Sequence, residues 1–233
     1  MFCFVDYRIS HTELSNLINL GLTPIKIPQS KLLYLAIDGH VDIQMAILDK
    51  DRKNVIFHKD MDISFLEHIK TLGISYTLSK NSLSSIYPND IFLNALITDN
   101  FLMHNLSYTD ENLLNAFPHL TKLNIKQGYT NCSILKVSNN AFITSDKKAF
   151  NLLVSHNFHA LLLPPKDIVL EGLDYGFIGG VGGLINENTM VFFGSLDKYK
   201  YGNLVKEFLT KHKVSYIYLK DDYLTDRGSI FVI

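Results

Sequence analysis

The chemistry legible in this chain gathers around Cys132, one of only two cysteines among 233 residues. It stands in Gln127-Gly128-Tyr129-Thr130-Asn131-Cys132-Ser133, between two strand-like runs, Leu120–Lys126 and Ser133–Val137. A glycine on the approach lets backbone come close to a ligand. A Cys at a strand start beyond a tight turn is well placed as a nucleophile. The competing reading is a small buried thiol, since free Cys is among the most buried residue types. Cys3, on an alternating apolar strand, takes that second reading.

Thiol chemistry needs a proton carrier and groups that manage charge. Gly39-His40-Val41-Asp42 offers an imidazole two residues from a carboxylate, and Asp226-Arg227-Gly228 offers an acid beside a cation. Either could be turn chemistry alone, because Asp-x-Gly is common in turns. If they meet Cys132, the roles are nucleophile for Cys132, acid/base for His40, and carboxylates that hold positive charge for Asp42 and Asp226. Gln127 and Tyr129 are candidates to line the pocket. The glycine-rich Gly176–Gly183 could cradle an anion through backbone N–H groups or simply permit close packing.

These segments must be positioned by a fold, and the pattern repeats. Met1–Asp6 reads as a strand. A helix begins at Thr12 and Glu13 and ends at Gly21, and Leu22–Ile27 is a strand closed by Pro28. From Gly39 a second unit runs through strands Ile43–Leu48 and Val55–His58, a helix with Ser64 and Glu67 as a capping box and Gly73 past its end, and strand Ile74–Leu78. The third starts at Tyr87-Pro88-Asn89-Asp90, with strands near Phe92–Thr98 and Phe101–His104, a helix Thr109–Phe117 and strand Leu120–Ile125. The fourth has strands Ser133–Val137 and Ala141–Thr144, a helix from Asp146 to about His156 and strand Ala160–Leu163. The fifth has strands near Val181–Ile185 and Met190–Phe193, a helix with Tyr201, Leu204, Val205, Phe208 and Leu209 on one face, and strand Tyr216–Leu219. Ser229–Ile233 remains.

Hairpin, helix and strand thus recur at a period of roughly 45 residues, the spacing of propellers and arrays. The first unit lacks one strand, and Ser229–Ile233 can supply it by pairing with Met1–Asp6, which would close a ring without an open sheet edge. The expectation is an α/β protein, a five-bladed α/β propeller of pseudo-fivefold ββαβ units in a single domain over residues 1–233. In such a ring the polar segment that opens each unit points to the axis, so Cys132, His40, Asp42 and Asp226 converge.

Composition excludes other classes. The 22 basic and 23 acidic residues are spread evenly, leaving no basic stripe for nucleic acid and no acidic tail. No apolar run approaches the ~18 residues a membrane helix needs. Met1–Asp6 lacks the basic flank of a signal peptide. Two cysteines make no disulfide framework, and no Cys/His cluster suggests zinc. The expectation is cytoplasmic, with neither metal nor organic cofactor, neither nucleic acid nor membrane as partner, and no sign of oligomeric state.

On these segments the chain resembles the guanidino-group-modifying enzymes, or penteins, which include arginine and agmatine deiminases and dimethylarginine dimethylaminohydrolase. Gly39-His40-Val41-Asp42 looks like their G-H-x-D, with a catalytic His and a guanidinium-binding Asp. Ile86-Tyr87-Pro88-Asn89-Asp90-Ile91-Phe92 is similar to S-Y-x-N-F of agmatine deiminases, which makes Asn89 and Asp90 substrate-side residues. Tyr129-Thr130-Asn131-Cys132-Ser133-Ile134 resembles G-x-I-H-C-I-T around the nucleophile, and Asp226-Arg227-Gly228-Ser229-Ile230 resembles E-G-G-S-I, whose Glu is catalytic. The segments keep the family's cyclic order but start at a different point, so the resemblance implies a circularly permuted agmatine or arginine deiminase-like protein.

The departures are as specific as the matches. Gly176-Phe177-Ile178-Gly179-Gly180 stands where the family has an acidic R-D, and Asp226 and Arg227 replace a Glu and a Gly. Two functions follow from this set. One is a Cys-dependent hydrolase or transferase at a guanidino, amidino or related C–N centre of a small cationic or zwitterionic substrate, with Arg227 selecting substrates that also carry a carboxylate. The other is a non-catalytic pentein-fold binding protein that has lost part of the guanidinium site. The resemblance also leads to the expectation that an imidazolium beside Cys132 makes it alkylate near neutral pH much faster than Cys3.

Overall fold

The computed structural model describes residues 1–233. Its strands fall into five separate three-stranded sheets. The first 27 residues give β1 (Phe2–Asp6), α1 (His11–Asn19) and β2 (Thr23–Ile27). Next come a single helical turn α2 (Val41–Gln44), β3 (Met45–Asp49), β4 (Asn54–Phe57), α3 (Ile63–Thr71) and β5 (Ser75–Leu78). The third group is β6 (Leu96–Ile97), β7 (Phe101–His104), α4 (Glu111–Ala116) and β8 (Thr121–Asn124). The fourth opens with another helical turn, α5 (Thr130–Ser133), followed by β9 (Ile134–Ser138), β10 (Ala141–Thr144), α6 (Lys147–Ser155) and β11 (His159–Leu162). The fifth opens with a 3-10 turn, Ile178–Val181, then β12 (Gly182–Asn186), β13 (Thr189–Phe192), α7 (Gly202–Lys211) and β14 (Ser215–Tyr218), and β15 (Phe231–Val232) ends the chain.

Every sheet has one plan. A central strand runs antiparallel to the strand before it and parallel to the strand after it, and a helix makes the parallel crossover, as parallel pairing requires. In the remaining sheet the plan is assembled from both ends of the chain: β15 pairs antiparallel with β1 in the register Cys3↔Val232 and Phe4↔Phe231, and β1 runs parallel to β2.

The core is shared between sheets rather than enclosed by each. Phe4 and Ile27 pack with Val55 and Phe57. Ala46 and Ile56 pack with Leu102 and Leu113, and Phe101 and Met103 with Phe142 and Leu153. Val137 and Ile143 meet Phe192 and Val205, and Val191 and Phe193 meet Val5 and Leu17. Each unit therefore buries one sheet face against the unit before it and the other against the unit after it, the last against the first.

Element ends depart from the sequence expectation where polar side chains decide them. The capping box forms at Ser10 and Glu13 on α1. The expected box at Ser64 and Glu67 does not: α3 starts earlier because Asp62 caps it, accepting from the Phe65 N–H at 3.0 Å. The expected strand Phe92–Thr98 shrinks to Leu96–Ile97, since Asn94 N–H bonds back to Ile91 O at 2.8 Å and turns the chain. The strands expected from Ile43 and from Ser133 likewise begin later, at Met45 and Ile134, after one turn of helix. Those turns point the side chains that precede each first strand inward.

Candidate active site

Cys132 lies on α5, two residues before β9. Its thiol donates to Asp42 Oδ2 at 3.1 Å and accepts from Asn94 Nδ2 at 3.2 Å. Asn94, equally two residues before its own strand β6, also accepts from the backbone N–H groups of Asn131 and Cys132 at 2.9 and 3.2 Å. Asp42, on α2, takes two further bonds at the same Oδ2, from Asn131 Nδ2 at 3.1 Å and Ser229 Oγ at 3.0 Å. Ser229 Oγ in turn lies 2.8 Å from Gly179 O. One hydrogen-bonded cluster thus draws a residue from each of the five units.

His40 immediately precedes α2. Its ring is buried, and neither nitrogen has a hydrogen-bond partner. Nε2 stands 3.8 Å from Asp226 Oδ1. The Cys132 sulfur, a His40 ring nitrogen and an Asp42 carboxylate oxygen all lie within 4.8 Å of one another. Asp226 is fixed by the Phe177 and Gly228 N–H groups at 2.8 and 3.0 Å. Glycines make room for this pair. A Cβ at Gly180 would collide with the Asp226 carboxylate, and one at Gly228, which also holds φ +66, would collide with His40. Close packing therefore accounts for the Gly176–Gly180 stretch, with Asp226 pressed against it.

Burial sets the protonation states. It pushes the Cys132 thiol well above its ordinary value, and the charges of Asp42 and Asp226 push it further. It pushes His40 down against the pull of Asp226, and pushes Asp42 and Asp226 up. The resting pair is a neutral thiol and a neutral imidazole. This corrects the expectation of an imidazolium-activated thiolate: a desolvated ring next to Asp226 loses more from burial than it gains from one carboxylate. A thiol, an imidazole and a carboxylate are donors a zinc ion could use. Asp42 Oδ2 is already saturated by three donors, which leaves Oδ1, without a partner, as its free ligand atom.

The site is closed. Cys132, His40, Asp42 and Asp226 are between 0% and 3% exposed. Leu33, Ala36 and Ile37 from the connection after β2, Leu83 from that after β5 and Leu170 from that after β11 pack with Cys132 in one cluster, with Tyr34, Tyr129 and Phe177 against it. Tyr129 Oη donates to Asp90 Oδ2 at 2.5 Å and lies 3.4 Å from Tyr34 Oη. Asp90 is buried here. Arg227 is half-buried, its N–H on Gly180 O and its Nε without a partner. Gln127 turns away to Asp146, at 3.0 Å, and Asn89 is exposed, its backbone closing a turn with Ser84 and Ile86.

Of the sequence-predicted residues, Cys132, His40, Asp42 and Asp226 come together, Tyr129 and Asp90 form a neighbouring wall, and Gln127 and Asn89 lie outside. Asn94, Asn131 and Ser229 were not anticipated. Asn94 and Ser229 carried a positional signal, since each stands, like Cys132, two residues before the first strand of its sheet; Asn131 carried none.

The fold has solved counterparts. The inosamine-phosphate amidinotransferase StrB1 of Streptomyces griseus superposes with a TM-score of 0.56 over 94% of this chain and 75% of that one, at 13% identity. SxtG, an amidinotransferase from Microseira wollei in the saxitoxin biosynthetic pathway, covers 95% of this chain and 88% of its own at a TM-score of 0.48 and 8% identity. No curated protein sequence matches. The architecture is a mixed α/β fold of five small sheets that resembles that of StrB1. The chain belongs to a family of unknown function, DUF6873, whose profile matches residues 4–231.

Proposed function

We propose that this protein is a Cys-dependent hydrolase or transferase acting on a guanidino, amidino or related C–N centre. The observation that carries this reading is the approach of the Cys132 thiol, the His40 ring and the Asp42 carboxylate to within 4.8 Å, from two different units, with Asp226 behind His40. The scaffold is read as a five-bladed propeller, one domain over 1–233, closed by β15 and β1; the cyclic series of shared cores supports that closure.

The connections that cover Cys132 lift, and a small cationic or zwitterionic substrate enters with its N–H groups on Asp42. Tyr129 and Asp90 flank it, and Arg227 receives a substrate carboxylate. The substrate cation favours the thiolate, which the surrounding acids disfavour. Cys132 sulfur attacks the central carbon as its proton passes to His40, whose imidazolium Asp226 stabilises. His40 gives that proton to the departing amine as the C–N bond breaks, leaving an S–C intermediate. Neutral His40 then takes a proton from attacking water, or from an acceptor amine in a transferase. The carbon–sulfur bond breaks, and Cys132 recovers the proton. No step calls on a metal or an organic cofactor.

The test is a panel of guanidino and ureido compounds, read by thermal shift and by release of amine. A ligand that stabilises the protein should be turned over. Cys132→Ser should abolish turnover with the melting temperature kept, and His40→Ala should lower it by about 10²–10⁴-fold. Stabilisation without turnover would overturn the reading in favour of a binding protein, and turnover surviving in Cys132→Ser would overturn it by taking the thiol out of the chemistry.

A further inference from the structure

The first strand of every sheet also lines a second compartment, a cavity of about 1000 Å³ with Ile47, Ile97, Leu135, Leu184 and Phe231 in its walls. Its mouth is set by hairpin turns that carry Lys50, Asp51, Asp99 and Glu187. Its floor is Asn131, Gly179 and Ser229. Those residues separate it from Cys132 and His40, neither of which lines it. The size falls within the range of small-molecule sites, and the walls are sheet rather than loop.

One side chain in it lacks a counterpart. Lys136, in the middle of β9, is half-buried and forms no ion pair and no side-chain hydrogen bond. Burial pushes its amine down, and the charge of Asp99 offsets this only in part while Lys50 adds to it. A cation partly removed from water without a partner carries a desolvation cost that a bound anion offsets. The acids at the mouth are exposed and screened, yet they disfavour a second negative charge there.

We propose that this cavity binds a small organic monoanion, with its charged head on Lys136 and its apolar body against Ile47, Ile97, Leu184 and Phe231. The inference does not depend on the catalytic reading. The test titrates the full chain with 8-anilinonaphthalene-1-sulfonate, an apolar monoanion that fluoresces when shielded from water, and competes it with eight-carbon ligands. Saturable fluorescence is expected, displaced by octanoate and not by octylamine or the dianion suberate at equal concentration. Lys136→Met should weaken binding about tenfold or more, and Ile97→Trp, which crowds the cavity from β6, should abolish it. Cys132→Ser should bind like the parent. Should Lys136→Met fail to fold, Lys136→Gln compared with Lys136→Arg carries the same contrast, Arg retaining the site. No saturable signal with the native chain, parent-like binding after loss of the Lys136 charge, or equal displacement by octylamine would overturn the proposal.

Discussion

Two titrating side chains give pH experiments with opposite aims. Because burial and then Asp42 hold the Cys132 thiol protonated, iodoacetamide should label it slowly at neutral pH and faster only above the ordinary thiol value of 9.0. Asp42→Asn removes the larger of the two opposing charges, so its labelling profile, read by mass spectrometry, should move to lower pH; an unmoved profile would deny Asp42 its influence on the thiol. His58, buried with Nδ1 unpartnered, is pushed down to about 4. The unfolded chain then binds more protons than the native one between the two values, so stability falls as pH drops from 6.5 towards 4. Complete burial of this one group corresponds to roughly 3 kcal/mol by pH 4, and denaturant titrations of His58→Asn should show that much less acid loss. The buried carboxyls of Asp42 and Asp226 have the opposite sign, since raised values favour the native state as pH falls. Cys132, His40, Asp42 and Asp226 were legible in the sequence because reactive types sit in short motifs. Asn94 was not, because an amide that bridges a thiol and two backbone N–H groups has no type-specific signature.

At the scale of elements, the period was readable because every unit alternates apolar residues in its strands and repeats the helix at the same offset; Phe101–His104 and Ala141–Thr144 are strands with the bounds expected. The turns of helix before β3 and β9 were hidden, since four residues are too few for periodicity to register and tertiary hydrogen bonds fix them. The helix start at α3 is a local competition that can be measured. Asp62→Ala should cost about 1 kcal/mol through loss of the cap, whereas Ser64→Ala should stay within about 0.5 kcal/mol. Equal losses in chemical denaturation would restore Ser64 as the cap.

For the whole molecule, the arrangement of shared cores makes stability collective. Residues 229–233 carry β15, the Ser229 contact to Asp42 and the Ile230 and Val232 packing against Val191 and Phe193. Their deletion should lower the melting temperature of the entire chain in one transition and loosen Cys132 at the same time. An unchanged melting temperature would show that the terminal pairing contributes nothing. The split sheet was legible from the missing strand of the first unit, whereas the closure of the covering connections over the thiol was not, because Leu33, Ala36, Ile37, Leu83 and Leu170 are separated widely in sequence and follow no period.

The terminal sheet also gives the molecule a mechanical character. Phe2 and Ile233 exchange backbone hydrogen bonds at 2.9 and 3.0 Å, so both ends of the chain leave from the same edge of the ladder. Tension applied between them falls on β1 and β15 together and opens that ladder one bond pair at a time, the geometry of a zipper rather than of a sheared joint, and the two-residue β15 gives way first because β1 is also held to β2 over five residues. Peeling draws Ser229 away from Asp42, so a pull on the ends reaches the thiol.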